Sequence, residues 1–517
     1  MALKGQYFLA LDFGTESVRG ALFDTYGVLV HTAAREYHTY FPNPGWAEQK
    51  PSDWWDAFTE VARGILSESG VKPDSISAMT VDTTSCTVLA LDERFTPLRN
   101  ALIWMDVRSF RQANRIAGSD MGALKYNGFG KVSAEWMPSK ALWMRENEPE
   151  IYRKASHICE FQDWINYRLT GEYVGSINNV TARWYYDSRA GGWPRDFYDK
   201  IGLGDVVEKF PQTILELGEP IGTLLPDVAA QTGFSTNTLV VQGGADAYIG
   251  ILGLGAVRAG RIAFITGSSH LLLGHTEKEF HRRGIFGAFP DCVMPGLWVV
   301  EGAQISSGSV LKWFKDNFIS RELEQEAERK GLSLYDYLNG LAEKVKIGSE
   351  GLIVLNYWQG NRNPLTDSQA RGVIWGLSLK HTPVHVYRAI MEGVSYGTEH
   401  IMRYFKDAGF VPREIFACGG AAKSPLWMQM QSDVLGIPIY LTEEPNAPLL
   451  GDAILASYGA GVYESIEKAA DSMVKIKEKI EPDLEKTERY RYYVDRYIDT
   501  YPPLKNLMHD MLDHESD

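Results

Sequence analysis

The chain has 517 residues, 44% hydrophobic and 23% charged, the make-up of a soluble globular protein long enough for roughly two to four domains. Its net charge of −14, with no lysine- or arginine-rich block, argues against a partner among nucleic acids or anionic membranes. The sequence shows neither a secretory leader nor an apolar run of about 18 residues, so a cytoplasmic protein without a membrane span is expected; Cys86, Cys159, Cys292 and Cys418 lie far apart and read as buried thiols, not as disulfides or zinc ligands.

The first element is an apolar run, FLALDFGTESVRGALFD, that reads as two strands, 7–13 and 18–23, with a Gly-Thr turn between them; Tyr26-Gly27 turns the chain again into a strand at 28–30. The segment SDWWDAFTEVARGILSESG predicts a helix with Ser52 as its N-cap, Trp55, Phe58, Ala62 and Ile65 on its buried face and Gly70 as its stop. Another strand follows in SISAMTVD. The aromatic residues of FQDWINYRLTGEY, Trp164 among them, read as core, and Asp163 as structural. The strand in VVQGGADAYIGILGLG reaches Gly243-Gly244 and presents Asp246.

Near residue 260 the pattern returns. GRIAFITGSSHLLLG is again strand, small polar turn and strand, followed by predicted helices around 309–317 and 385–405. In FACGGAAKSPLWMQMQSDVLG a strand closes on Gly419-Gly420 and a helix begins near Ser424-Pro425, while Tyr490, Tyr493, Tyr497 and Tyr501 at helical spacing read as a packing face. The repeat predicts two α/β halves around a cleft, residues 1–253 and 254–517, hinged near Gly253-Leu254-Gly255.

The turn after Asp12 lacks the lysine and the following helix of a Walker loop, yet a tight hairpin can hold phosphate through backbone N–H groups and hydroxyls. Gly14 would allow close approach and Thr15 and Ser17 would donate hydrogen bonds. Asp12, an anion, would then face a magnesium ion carried by the phosphates. The plain alternative is an acidic turn. Asp246 is either a general base for a substrate hydroxyl or a turn acid. Gly419-Gly420 either admits the flat face of a nucleotide base or is a simple strand-to-helix turn.

In this order the motifs resemble the FGGY sugar kinases, members of the fold group that includes hexokinase, actin and the Hsp70 ATPase domain, from Leu9 to about Gly461. The most specific stretch is GVIWGLSLKHTPVHVYRAIMEG, with Gly372, Gly376-Leu377, His385-Val386, Ala389 and Glu392 at family positions. The resemblance implies two duplicated ribonuclease H-like α/β domains of the actin and hexokinase type, and an enzyme that uses ATP and Mg2+ on a small sugar or polyol. It places Asp12 and Asp246 at the metal, Thr15 at phosphate and Asp246 as the base. Gly267 and Ser268 would hold the terminal phosphates, Gly308 and Lys312 would contact the nucleotide, and Gly419, Gly420 and Ser424 would border the adenosine. Glu301 would lie near the sugar. Many relatives are dimers, although no segment here marks an interface.

Substrate choice is expected in the first half. Asp82 and Thr83 of TVDTTSCTVLALDE look like the ribulokinase pattern, as does IWMDVRS with Trp104, Asp106 and Arg108; the last two are either a structural ion pair or a sugar contact. Arg183 stands where ribulokinases carry a sugar-contacting lysine, and its planar fork needs more room. Ser268 replaces the family's threonine, and Ala247 follows the base where many relatives have Asn or Gln. The first family signature is matched only at Lys140, Trp143 and Glu146-Asn147. A ribulose-like ketopentose is therefore expected, with xylulose, erythritol, ribitol or glycerol as alternatives. A non-catalytic ATPase of the actin or Hsp70 kind is the rival class.

Overall fold

The computed structural model describes residues 6–516. Strands β1 (Tyr7–Phe13), β2 (Ser17–Asp24) and β3 (Leu29–Glu36) form an antiparallel meander; β4 (Ile76–Thr83) runs parallel to β1 on its other side. Strand β5 (Pro220–Thr223) pairs antiparallel with β6 (Leu239–Val241), which runs parallel to β4, so the sheet order is β5-β6-β4-β1-β2-β3.

The second half repeats this plan. Strands β7 (Arg261–Thr266), β8 (His270–Thr276), β9 (Phe286–Pro290) and β10 (Trp298–Gln304) pair antiparallel, and β11 (Glu414–Gly419) and β12 (Ile439–Thr442) extend the sheet in parallel from β7. With the edge strand β13 (Ile476–Ile480) the order is β9-β10-β8-β7-β11-β12-β13. A hairpin strand flanked by a parallel strand sits at the centre of each sheet.

Helix α1 (Pro51–Ser69) begins one residue earlier than its expected cap: Lys50 is the N-cap and Pro51 takes the first helical position, where a missing N–H costs nothing, so Ser52 lies inside the first turn. Gly70 ends it at φ 67°, as the sequence indicated. Further helices that frame the site are α2 (Ile177–Arg183), α3 (Asp246–Gly253), α4 (Gly308–Phe318), α5 (Pro383–Asp407), α6 (Pro425–Leu435) and α7 (Ala447–Gly459). The tyrosine stripe lies on α8 (Leu484–Ser516), with Tyr490, Tyr497 and Tyr501 buried. Among the described residues no helix is long and apolar enough to cross a membrane. Cys86, Cys159 and Cys292 are buried, whereas Cys418 is partly exposed.

Strand alternation explains where the acids go. On β1, Leu9, Leu11 and Phe13 share a core with Trp54, Phe58 and Ile65 of α1, while Phe8 and Ala10 pack with Leu450, Ala453 and Ile454 of α7. Asp12 belongs by parity to the second face, as does Asp82 on β4, and the two are partners in the β1–β4 ladder. Helix α7 follows a strand of the second sheet yet covers the first. It crosses α3 closely: a Cβ on Gly253 would lie 1.9 Å from the Ala447 carbonyl oxygen, and one on Gly451 2.2 Å from that of Ile249. Replacing Gly451 by Ala should force these helices apart and cost roughly 2–3 kcal/mol, lowering the thermal midpoint by about 5 °C. Calorimetry that found the midpoint unchanged would show the crossing to be loose.

Candidate active site

The β1–β2 hairpin is closed by Gly14 N–H donating to the Ser17 carbonyl at 3.0 Å. Neighbours hold it from outside: the Tyr37 hydroxyl donates to the Gly14 carbonyl, Gln49 Nε2 donates to the Thr15 carbonyl at 2.7 Å, and Trp104 Nε1 donates to Thr15 Oγ1 at 2.8 Å. Thr15 thus keeps its own hydroxyl proton for a ligand. Gly14, Thr15 and Ser17 are half-buried, as a mouth should be.

Asp12, at the end of β1, is 1% exposed. One carboxylate oxygen pairs with Arg19, directly opposite on β2, and Oδ1 has no partner. Burial raises its pKa against the opposing pull of Arg19. Asp246 is the first residue of α3, placed there because Gly243 and Gly244 let the chain run tightly past Val81 and Asn178, where a Cβ would come within 2.0 and 2.8 Å. Its carboxylate accepts from the Ala247 N–H at 2.6 Å. Burial, then the charge of Asp12, push its pKa up to about 7, with the Ala247 N–H and Arg19 opposing.

Two further acids lie beneath. Asp82 and Asp452, on α7, are wholly buried, and burial raises both well above the usual carboxylate range. For Asp82 the charges of Asp452, Asp12 and Asp246 add to this; for Asp452 that of Asp12 does. Asp82 and Thr83 were expected to touch a sugar. In the structure both are buried under the strand end, and the partly exposed residue of the same loop is Ser85. Next to it Cys86 adopts φ 61°. Its carbonyl and that of Ile103 accept from Lys140 Nζ at 2.6 and 2.7 Å, and its N–H donates to Glu160 at 2.9 Å. Asp106 and Arg108 resolve as a buried ion pair at 2.7 Å, with Asp106 also holding the Ala47 N–H. Asp163 caps its own helix by accepting from the Glu160 N–H, a structural role as read.

Arg183 and Glu301, both expected at the sugar, face each other across the two halves at 2.7 Å. Glu301 also accepts from the Tyr248 hydroxyl at 2.7 Å and from Arg362 at 2.8 Å, and the two guanidinium charges overcome burial to hold its pKa down at about 2. Glu301 is therefore spent on protein groups, while Arg362 stays about one-third exposed.

In the second half Gly267, Ser268, Gly308, Lys312, Gly420 and Ser424 line one cleft of about 950 Å³. The Ser268 carbonyl accepts from the Ser307 and Ser309 N–H groups at 3.0 and 3.1 Å, tying the second hairpin to the start of α4. Gly308 is required there, since a Cβ would lie 2.4 Å from the Gly267 carbonyl oxygen. Ser424 caps α6 and accepts from Asn339 Nδ2 at 3.2 Å. Gly419 stands just outside the lining, at φ 98°. Lys312 pairs with Asp316 at the rim.

With this geometry, the comparisons are decisive. The N-terminal domain of the FGGY family of carbohydrate kinases matches residues 7–253, and its C-terminal domain matches residues 262–460. The chain belongs to this family. It is an ATP-dependent carbohydrate kinase with the two-domain FGGY fold, as the resemblance implied. The kinase is 31% identical to an FGGY carbohydrate kinase domain-containing protein of Xenopus laevis over 96% of each chain. It is 32% identical to a ribulokinase of Bacillus licheniformis over 88% of this chain and 87% of the other. The crystal structure of xylulose kinase from Rhodospirillum rubrum superposes with a TM-score of 0.87 at 26% identity, covering 98% and 100% of the two chains.

Sequence reasoning overlooked Arg19, Arg362 and Asp452. Arg19 was legible from strand register, and Asp452 as a lone acid in the apolar helix NAPLLGDAILASYG. Changing Glu301 to Gln should strip the counter-charge from buried Arg183 and lower stability by about 3–5 kcal/mol. A denaturation midpoint equal to the wild type's would mean that the ion pair is not formed in solution.

Proposed function

We propose that this kinase transfers the γ-phosphoryl group of ATP to a terminal hydroxyl of a ribulose-like ketopentose in carbohydrate catabolism. The observation that carries the reading is Asp246: a half-buried carboxylate at a helix start, near Asp12, with a pKa close to neutrality. The half up to residue 253 would supply sugar and base, and the half from 254 the nucleotide; every residue lining the 950 Å³ cleft lies in the second.

Asp246 removes the proton of the attacking hydroxyl, whose oxygen bonds to the γ-phosphorus as the bond to the ADP oxygen breaks. Gly14, Thr15 and Ser17 on one hairpin and Gly267 and Ser268 on the other would cradle the transferring group, with Gly308, Lys312, Gly419, Gly420 and Ser424 around the nucleotide. A magnesium ion fits the unpartnered Oδ1 of Asp12 with Asp246 nearby. Among the described residues no three His, Cys, Asp or Glu side chains form a cage, which suits an ion held mainly by phosphates and water. Bound there, it would neutralise phosphate charge. Closure of the halves would exclude water.

The ketopentose assignment is supported by the Asp82-Thr83-Thr84 stretch and by the ribulokinase relative. Recognition is assigned to Ser85, Trp104 and Arg183, with Asp82 and Thr83 supporting from below and Glu301 orienting Arg183. ADP release from Mg-ATP measured against ribulose, xylulose, ribitol, erythritol and glycerol tests this. Ribulose should give the highest kcat/KM; a polyol ahead of it would replace the substrate, and release indifferent to every compound would reject the sugar-kinase reading. Asp246→Asn should lower kcat by about 10²–10⁴ with ATP binding retained, as expected for losing a general base. Near-normal turnover would remove Asp246 from that role.

A further inference from the structure

A second cavity, of about 490 Å³, opens on the first half beside the start of α1, apart from the nucleotide cleft. Its charged lining consists of Lys50, Arg99 and Arg168 against one acid, Asp56, in a chain whose net charge is −14. Arg99 is committed to Glu48 and Glu148. Arg168 and Lys50 have no carboxylate partner among the described residues: Arg168 lies over the Trp55 ring at 4.3 Å, and Lys50 over Tyr40 at 4.7 Å. Trp164, only 2% exposed, forms part of the wall. Pro51 and Ser52 bring the positive end of a 19-residue helix, whose N-cap residue provides no side-chain cap.

Unpaired cations and a helix N-terminus converging on one cavity are complementary to a compact anion. The volume suits a molecule of sugar-phosphate size. The wall is also connected to the reaction site: Lys50 follows Gln49, whose side chain holds the Thr15 carbonyl of the phosphate hairpin.

We propose that this cavity is a regulatory site for a phosphate monoester or inorganic phosphate, sensed at the β1–β2 hairpin through Gln49. It rests on the sugar assignment only in the choice of ribulose 5-phosphate as a probe; the arm with inorganic phosphate does not. The kinase, saturated with ribulose and a non-hydrolysable ATP analogue so that the γ-phosphate and product positions are filled, is titrated calorimetrically with inorganic phosphate and with ribulose 5-phosphate. The wild type should show a binding event that Arg168→Gln weakens at least tenfold and Arg168→Lys partly restores. Lys50→Gln, at an exposed position, should weaken it too and serves if Arg168→Gln fails to fold. Tighter binding of ribulose 5-phosphate assigns the organic monoester, and equal binding assigns inorganic phosphate. The favoured ligand should shift the KM for ATP at least twofold in the wild type and not in the variants. Titrations unchanged by both neutral variants would overturn the site, and binding that leaves KM unmoved would overturn its regulatory role.

Discussion

The crossing of α3 and α7 is the constraint on which the rest of this molecule depends. Each helix follows a strand of a different sheet, and each presents a glycine where the other's backbone passes, so that Gly253 meets the Ala447 carbonyl and Gly451 that of Ile249. The contact does two things. It carries a helix from the second half onto the exposed face of the first sheet, sealing Phe8 and Ala10. It also fixes Asp246, the first residue of α3, near the acidic end of β1.

That seal accounts for the electrostatics of the site. Asp12, Asp82, Asp246 and Asp452 are drawn to one place by strand parity and by α7, and four carboxylates cannot all stay ionised in a dry environment. Burial and mutual repulsion push the two deepest, Asp82 and Asp452, well above the usual range, while Arg19 offsets part of the charge on Asp12. Asp246, nearest the opening, is left close to neutrality. A carboxylate poised there takes up a proton near neutral pH, which the same residue in open water would not do.

A second cross-half contact has the opposite character. Glu301 is charged, buried and surrounded by Arg183, Arg362 and Tyr248. It locks side chains from both halves around the region between them, so it belongs to the positioning of the site more than to direct contact. The arginine at 183 is consistent with this use: its fork spans to a carboxylate across the cleft, where a lysine would offer a single point charge.

Much of this was legible in the sequence. Hydrophobic period, turn chemistry and the repeated strand-turn-strand motif indicate the two α/β halves, their hairpins and the helices around 309–317 and 385–405, because these depend on neighbours within a few residues. The glycines and hydroxyls that line the 950 Å³ cleft stand in short local motifs for the same reason. Only the tertiary structure decided that Asp82 and Thr83 lie sealed beneath the surface, that Glu301 is consumed by two arginines, and that Asp452 completes the acidic cluster. Each of those outcomes rests on contacts between segments 61 or more residues apart, and local pattern carries no record of what a distant element will cover.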